Sequence, residues 1–369
     1  MAEFREMGEE IRKKLIDGGI MTMPEDHAVN LEEGKISYGF GYPITGLEKF
    51  LGYFDKQFNI AYFPSISYLT DFSITYSACM YSRETGSDTV VLDGRSDDLY
   101  NRRSLKAINY LKDLYGLKGS MHFYLKRERR YHNAKGLGES ASVAAAASRS
   151  VISNIFGNDG IEDSAFVSRF ARLVSGSGTR SVAGSVSMWL SYPWIRESES
   201  YAFPIGLDTK NMYFSAYTFP ADFPTENAHE IAISSPGYNG WAKEKFQRML
   251  EYLDSGFSPA DLMERSQKDM YAMHSLLMYS GNMVLNSDSL ALIENLKRFR
   301  QKNNGNIVYT ADTGPSISII SDDQELLSEF TEENPGSLSG RIPDQTGVRI
   351  PESFRRESEE YFSGLTGNE

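Results

Sequence analysis

Strand-like and helix-like runs alternate along this chain without settling into a strict βαβ order. β-type runs gather between Lys35 and Gly94, at Ile36–Phe40, Ser65–Ser77 and Thr89–Leu92. Leu105, Ile108, Leu111 and Leu114 then repeat at helical spacing over Arg103–Tyr115, with Gly116 as the stop. His122–Leu125 reads as a strand, a glycine-rich turn leads into a small-residue helix at Ser140–Phe156, and Ile161–Val174 reads as another helix. Farther on, a strand at Met212–Thr218 and helices at Tyr238–Asp254, Ser258–Tyr279 and Ser287–Asn303 come before strands at Ile307–Thr310 and Ser316–Ser321. That order predicts an α+β fold with antiparallel sheets rather than a doubly wound parallel sheet. From Pro335 onward Gly, Pro, Ser and charge predominate, which predicts an extended tail with a last strand at Gly347–Ile350.

Composition removes several function classes. A formal net charge of -12 argues against a phosphate-backbone partner, so no nucleic acid is expected. Cys79 is the only cysteine, hence no internal disulfide and a reducing, cytoplasmic compartment; with no base beside it, it is expected in the core rather than as a nucleophile. The N-terminus is amphipathic and charged, without the apolar stretch of a signal peptide, and no apolar window is long enough to span a membrane. The histidines, His27, His122, His132, His229 and His274, show no metal-ligand spacing, so no metal is expected.

Four short segments carry chemistry. In Tyr309-Thr310-Ala311-Asp312-Thr313-Gly314-Pro315 a carboxylate stands at a strand-to-turn junction, where it can be aimed; an Asp capping an ordinary loop is the bland alternative. Gly136-Leu137-Gly138-Glu139-Ser140-Ala141 feeds a helix, and backbone N–H groups at a helix N-terminus attract anions. It lacks both Walker and dinucleotide spacing, and Glu139 in its mouth would repel a triphosphate. A plain turn before a tightly packed helix competes with that reading. Ser175-Gly176-Ser177-Gly178-Thr179-Arg180-Ser181 supplies hydroxyls and a guanidinium, suited to a carboxylate or phosphate, or else is a flexible linker. Lys49, within Gly41–Gly52, is indistinguishable by itself from a surface lysine. The basic run Lys126, Arg127, Arg129 and Arg130 reads most simply as a solvated face, with one or two members, or His132 and Lys135, able to reach a phosphate.

Taken in order, these segments resemble the GHMP-kinase superfamily and, within it, the mevalonate diphosphate decarboxylase group. Lys49-Phe50-Leu51-Gly52 is similar to that group's Lys-Tyr-Trp-Gly, Gly136–Ala141 to its Gly-Leu-Ala-Ser-Ser-Ala, and Thr310–Pro315 to its Phe-Asp-Ala-Gly-Pro. Ser175–Ser181 resembles Gly-Ser-Gly-Ser-Ala-Cys-Arg-Ser with Arg180 in register; Val91–Gly94 and Met273-His274 are softer echoes of Leu-Asn-Gly and Phe-His. The resemblance implies a two-domain GHMP-kinase fold, a ribosomal-S5-domain-2-like N-terminal domain at 36–207 and a ferredoxin-like C-terminal domain at 208–369 with a polar tail. Residues 1–35 then form an added helical arm. It also implies a site in the cleft between domains, a catalytic triad of Asp312, Lys49 and Arg180, a phosphorylated mevalonate as ligand, and a homodimer.

The departures matter as much. The group's loop serine is Glu139 here, its second lysine is Tyr53, and its Ser-Ser-Arg-Glu-Gly-Met stretch is not recognisable in Phe219–Ser235. Triad kept and nucleotide features altered is the pattern of the archaeal mevalonate 3,5-bisphosphate decarboxylases, which act without ATP or other cofactor. The resemblance then implies substrate binding by Ser175, Ser177, Ser140, Gly138 and Tyr53, with Glu139 guarding against nucleotide. An ATP-dependent decarboxylase of phospho- or diphosphomevalonate is the alternative; a small-molecule kinase and a non-catalytic binding protein are the more distant ones.

Overall fold

The computed structural model describes residues 1–84, 86–96, 99–132, 136–220 and 225–366. Lys135 lies outside the described residues, as does part of the Phe219–Ser235 stretch. After helix α1 (Ala2–Asp17) come β1 (Ile36–Gly41), β2 (Ile44–Glu48), β3 (Tyr53–Asp55), β4 (Ile60–Ala61), β5 (Ser65–Leu69), β6 (Ser73–Ser82) and β7 (Thr89–Leu92). Helix α2 (Leu99–Tyr115) leads to β8 (Ser120–Arg129), helices α3 (Glu139–Glu162), α4 (Ser164–Val174) and α5 (Gly178–Ala183), and strands β9 (Val186–Trp189) and β10 (Ala202–Pro204). The second half holds β11 (Tyr213–Tyr217), α6 (Thr225–Ser234), α7 (Tyr238–Ser255), α8 (Pro259–Tyr279), α9 (Ser287–Lys302), β12 (Ile307–Thr310), β13 (Ile317–Ser321), α10 (Gln324–Glu333), β14 (Ser337–Gly340) and α11 (Glu352–Thr366).

Three four-stranded sheets result, ordered β1-β6-β8-β7, β10-β9-β5-β2 and β12-β13-β11-β14, with β3-β4 as a separate hairpin. Only β7 and β8 pair parallel, so the antiparallel expectation holds. In the third sheet the first strand of the set lies between the third and the fourth, the strand order of a ferredoxin-like βαββαβ unit.

The first sheet is apolar on both faces, and period-two alternation says why. Met121, Phe123 and Leu125 of β8, with Cys79 and Tyr81 of β6, point into a core shared with α2, α3 and α4. Tyr76, Ala78 and Met80 of β6 point the other way, beneath Phe354 and Phe362 of α11. Cys79 is fully buried there, and burial pushes its thiol well above the usual range, which suits the expected core role. The largest apolar cluster joins the two halves of the chain, running from Phe4, Ile11 and Leu15 of α1 through Met188 to Phe214, Trp241, Phe246 and Met273.

Three expectations are corrected. The run Ser65–Ser77 is two strands in different sheets, because the chain leaves β5 at Leu69 and re-enters as β6 at Ser73. The helix expected from Ile161 begins at Ser164, since Asp163 caps it by accepting the Phe166 N–H at 2.9 Å. The tail is not extended after Pro351 and Gly347–Ile350 is no strand: β14 closes the third sheet and α11 packs on the first.

Candidate active site

A cavity of about 490 Å³ opens where β2, the starts of α2 and α3, the α4–α5 turn, α6, α8 and the loop after β12 converge. Every residue expected at the site lines it: Lys49, Tyr53, Gly138, Glu139, Ser140, Ser175, Ser177, Arg180 and Asp312.

Lys49 follows the last residue of β2, and Asp312 lies two residues past β12. Lys49 is no surface lysine; it is 1% exposed, and its Nζ donates to Asp312 Oδ1 at 2.7 Å and to the Gly46 carbonyl at 2.8 Å. Asp312 keeps about a quarter of its side chain exposed, so it is the half of the pair that a ligand meets. Helix α8 braces both halves. Asp269 accepts the Lys49 backbone N–H at 2.6 Å, and five residues on His274 Nε2 bonds the Asp312 carbonyl at 2.9 Å. Burial holds the His274 imidazole down to about 4, so the ring is neutral and donates its Nε2 proton to that carbonyl.

Behind Lys49 lies a buried ionic cluster. Lys245 bridges Glu48 (2.7 Å) and Asp269 (2.5 Å), Arg248 bridges the same two carboxylates (2.9 and 2.7 Å), and Tyr252 and Trp241 donate to Glu48 and Asp269. Two cations face two anions, so the cluster is balanced, and every carboxylate is hydrogen-bonded.

Arg180 faces the cavity from α5 and is 3% exposed. Its Nη1 donates to Ser65 Oγ at 2.8 Å, while the buried Nε has no acceptor, so the guanidinium retains unspent donors. Burial lowers it to about 10, with Asp312 opposing, and it remains a cation at neutral pH. Ser140, Ser177 and Ser175 form a hydroxyl chain with oxygens 3.0 and 2.9 Å apart. Gly138 precedes α3 in the left-handed region (φ 69°); a Cβ there would also lie 2.1 Å from the Ile44 carbonyl oxygen, so only glycine fits.

Glu139 opens α3 and is not a bare charge. Arg129 grips its carboxylate through Nε and through Nη2 at 3.0 Å, Arg127 lies at 3.4 Å, and the Tyr131 hydroxyl donates at 2.6 Å. The donors at the head of this helix are thereby occupied from within the chain. The rest of the basic run is paired as well: Lys126 with Glu357 (2.7 Å) and Arg130 with Asp71 (3.0 Å), neither lining the cavity. His132 is exposed.

With this geometry, the comparisons take on meaning. The domain pattern described as "Diphosphomevalonate decarboxylase-like N-terminal domain" matches residues 41–202. The mevalonate 3,5-bisphosphate decarboxylase of Thermoplasma acidophilum is 40% identical over 370 aligned positions, covering 100% of this chain and 91% of that relative. The chain belongs to the mevalonate 3,5-bisphosphate decarboxylase family. A second member of the family, from Thermoplasma volcanium, is 38% identical over 98% of this chain and 97% of its own. The family shares its fold with a mevalonate diphosphate decarboxylase from Enterococcus faecalis (TM-score 0.69, 18% identity, 83% of this chain and 97% of that one). The two-domain GHMP-type α+β fold is therefore the fold of this chain.

Sequence reasoning missed the ionic cluster and three lining residues, Arg103, His229 and Met273, as site components. A signal for the cluster was present: Trp241, Lys245, Arg248 and Tyr252 recur at the spacing of one helix face, so two cations lie on the stripe that faces the core. Nothing in the local sequence marked His229.

Proposed function

We propose that this protein eliminates phosphate and carbon dioxide from mevalonate 3,5-bisphosphate, giving isopentenyl phosphate without ATP. The observation that carries the reading is the identity of about two residues in five, end to end, with relatives of that name. Bond by bond, the C3–O bond breaks and its electrons leave with phosphate. The C1–C2 bond then supplies the pair that forms the C2–C3 double bond, and C1 leaves as carbon dioxide.

The chain's own groups fit these demands. Asp312, presented to the cavity and kept ionised by Lys49, stabilises positive charge developing at C3. Lys49 balances the charge of the departing phosphate. Arg180, with its unspent donors, and the Ser175–Ser177 hydroxyls orient the carboxylate. Ser140 at the start of α3 holds the 3-phosphate. No hydroxyl needs deprotonating, so Asp312 is not asked to act as a base. Glu139 supports the ATP-independent form, because its carboxylate already takes the Arg127 and Arg129 donors that a nucleotide phosphate would need.

The test is release of carbon dioxide and phosphate from mevalonate 3,5-bisphosphate with and without ATP and magnesium, with mevalonate 5-diphosphate alongside. Turnover of the bisphosphate alone, unchanged by ATP, is expected. Turnover of the diphosphate only when ATP is present would make this an ATP-dependent decarboxylase.

A further inference from the structure

We infer that the substrate's second phosphate, the one on its primary carbon, is seated in a corner of the cavity formed by Arg103, His229 and Tyr53, a subsite built for one monophosphate. The inference rests on the proposed function and names the part of the substrate that the triad leaves unaccounted for. The three residues come from α2, α6 and β3, and all line the cavity. Arg103 is half-buried, and its positive charge lowers both the Tyr53 phenol and the His229 imidazole, which places all three within electrostatic reach of one another.

His229 is preset as a donor. Its Nδ1 accepts the Gly52 backbone N–H at 2.9 Å, so the neutral ring carries its proton on Nε2, and no described group accepts that proton. Burial, then Arg103 and Lys56, hold the imidazole down to about 4, which keeps it uncharged. Tyr53 stacks on the same ring (centroids 4.7 Å apart, planes 28° apart), and its hydroxyl accepts the Gly176 N–H at 3.2 Å. The phenolic proton is left to donate.

The corner thus offers one guanidinium and two neutral donors. A phosphate monoester carries about −1.5 to −2 charge at neutral pH and three acceptor oxygens, which a bidentate arginine and two further donors satisfy. The other lining cations are engaged elsewhere. Lys49 is paired with Asp312, Arg127 with Asp93 and Glu139, and Arg180 lies by the Phe50 ring at 5.9 Å from its centre. His229 approaches that ring too, at 5.2 Å between centroids, so one aromatic ring lies between the carboxylate-orienting arginine and the corner. A substrate whose two phosphates are joined through a two-carbon spacer can reach past such a divider.

Mevalonate 5-phosphate and mevalonate test this, since neither carries a leaving group at C3 and they differ only in the phosphate at issue. Calorimetric affinities for both would be measured with the full chain, Arg103→Gln and Tyr53→Phe, the last keeping the ring stack in case Arg103→Gln folds poorly. Wild type is expected to prefer the phosphate ester, Arg103→Gln to reduce that preference at least tenfold, and Tyr53→Phe severalfold. A preference that survives in both variants, or equal weakening of the two ligands, overturns the subsite. Turnover of the bisphosphate by wild type is read separately. Turnover with the preference intact in the variants removes only the subsite, and lost preference without turnover removes only the decarboxylation.

Discussion

Gly46 shows how closely the Lys49–Asp312 pair is fitted. A Cβ at that position would lie 3.1 Å from Lys49 Cδ and 3.2 Å from Asp312 Oδ1, tighter than ordinary packing. Gly46→Ala is expected to push the pair apart and lower kcat by about 10²-fold, the penalty of a misplaced reacting group, with the circular dichroism spectrum unchanged. Asp312→Asn removes the charge without the shape, and kcat for carbon dioxide release should fall by about 10²–10³-fold. Near-wild-type turnover would exclude Asp312 from the chemistry. At this scale the sequence was informative about identity and silent about environment. Lys49, Arg180 and Asp312 could be picked out because their neighbours recur in one order, yet nothing next to Lys49 announced that it is buried.

Helix α8 is the element on which the site is gauged, since Asp269 holds Lys49 and His274 holds Asp312 from one rigid rod. Asp269→Asn leaves Lys245 and Arg248 with too little negative charge in a water-free place. A loss of about 3–5 kcal/mol in urea unfolding is expected, together with a drop in kcat larger than any change in KM. His274 ties stability to pH. An exposed imidazole takes its proton near 6.5, whereas His274 takes it near 4. Between those values the unfolded chain binds a proton that the folded chain refuses, so stability falls as pH drops from neutral toward 4. About 3 kcal/mol is lost through this group, and the urea stability of His274→Gln should be that much less sensitive to pH over the same window. The helices themselves were legible from apolar spacing. The cluster was not, because charge on a helix is ordinarily solvated, and only its position on the inward stripe betrays Lys245 and Arg248.

In the molecule as a whole, the two ends of the chain are structural fastenings. Phe4 of α1 stacks on Phe246 of α7 at 5.5 Å, and no residue of α1 lines the cavity. Phe4→Ala should therefore cost about 3–5 kcal/mol in urea unfolding while leaving kcat intact in conditions where the chain stays folded. The α+β architecture and the order of the late strands could be read from the alternation of runs. The C-terminal helix could not, because Gly347 and Pro351 broke the pattern just before it and its apolar contacts, Phe354 and Phe362, are sparse among charges.

The cluster of Glu48, Lys245, Arg248 and Asp269 also fixes how the centre responds to heat. Removing charges from water becomes less unfavourable as temperature rises, while apolar burial gains little more. The brace behind Lys49 therefore contributes relatively more in a hot solution than in a cold one, and the centre is held best where the rest of the fold is nearest to letting go.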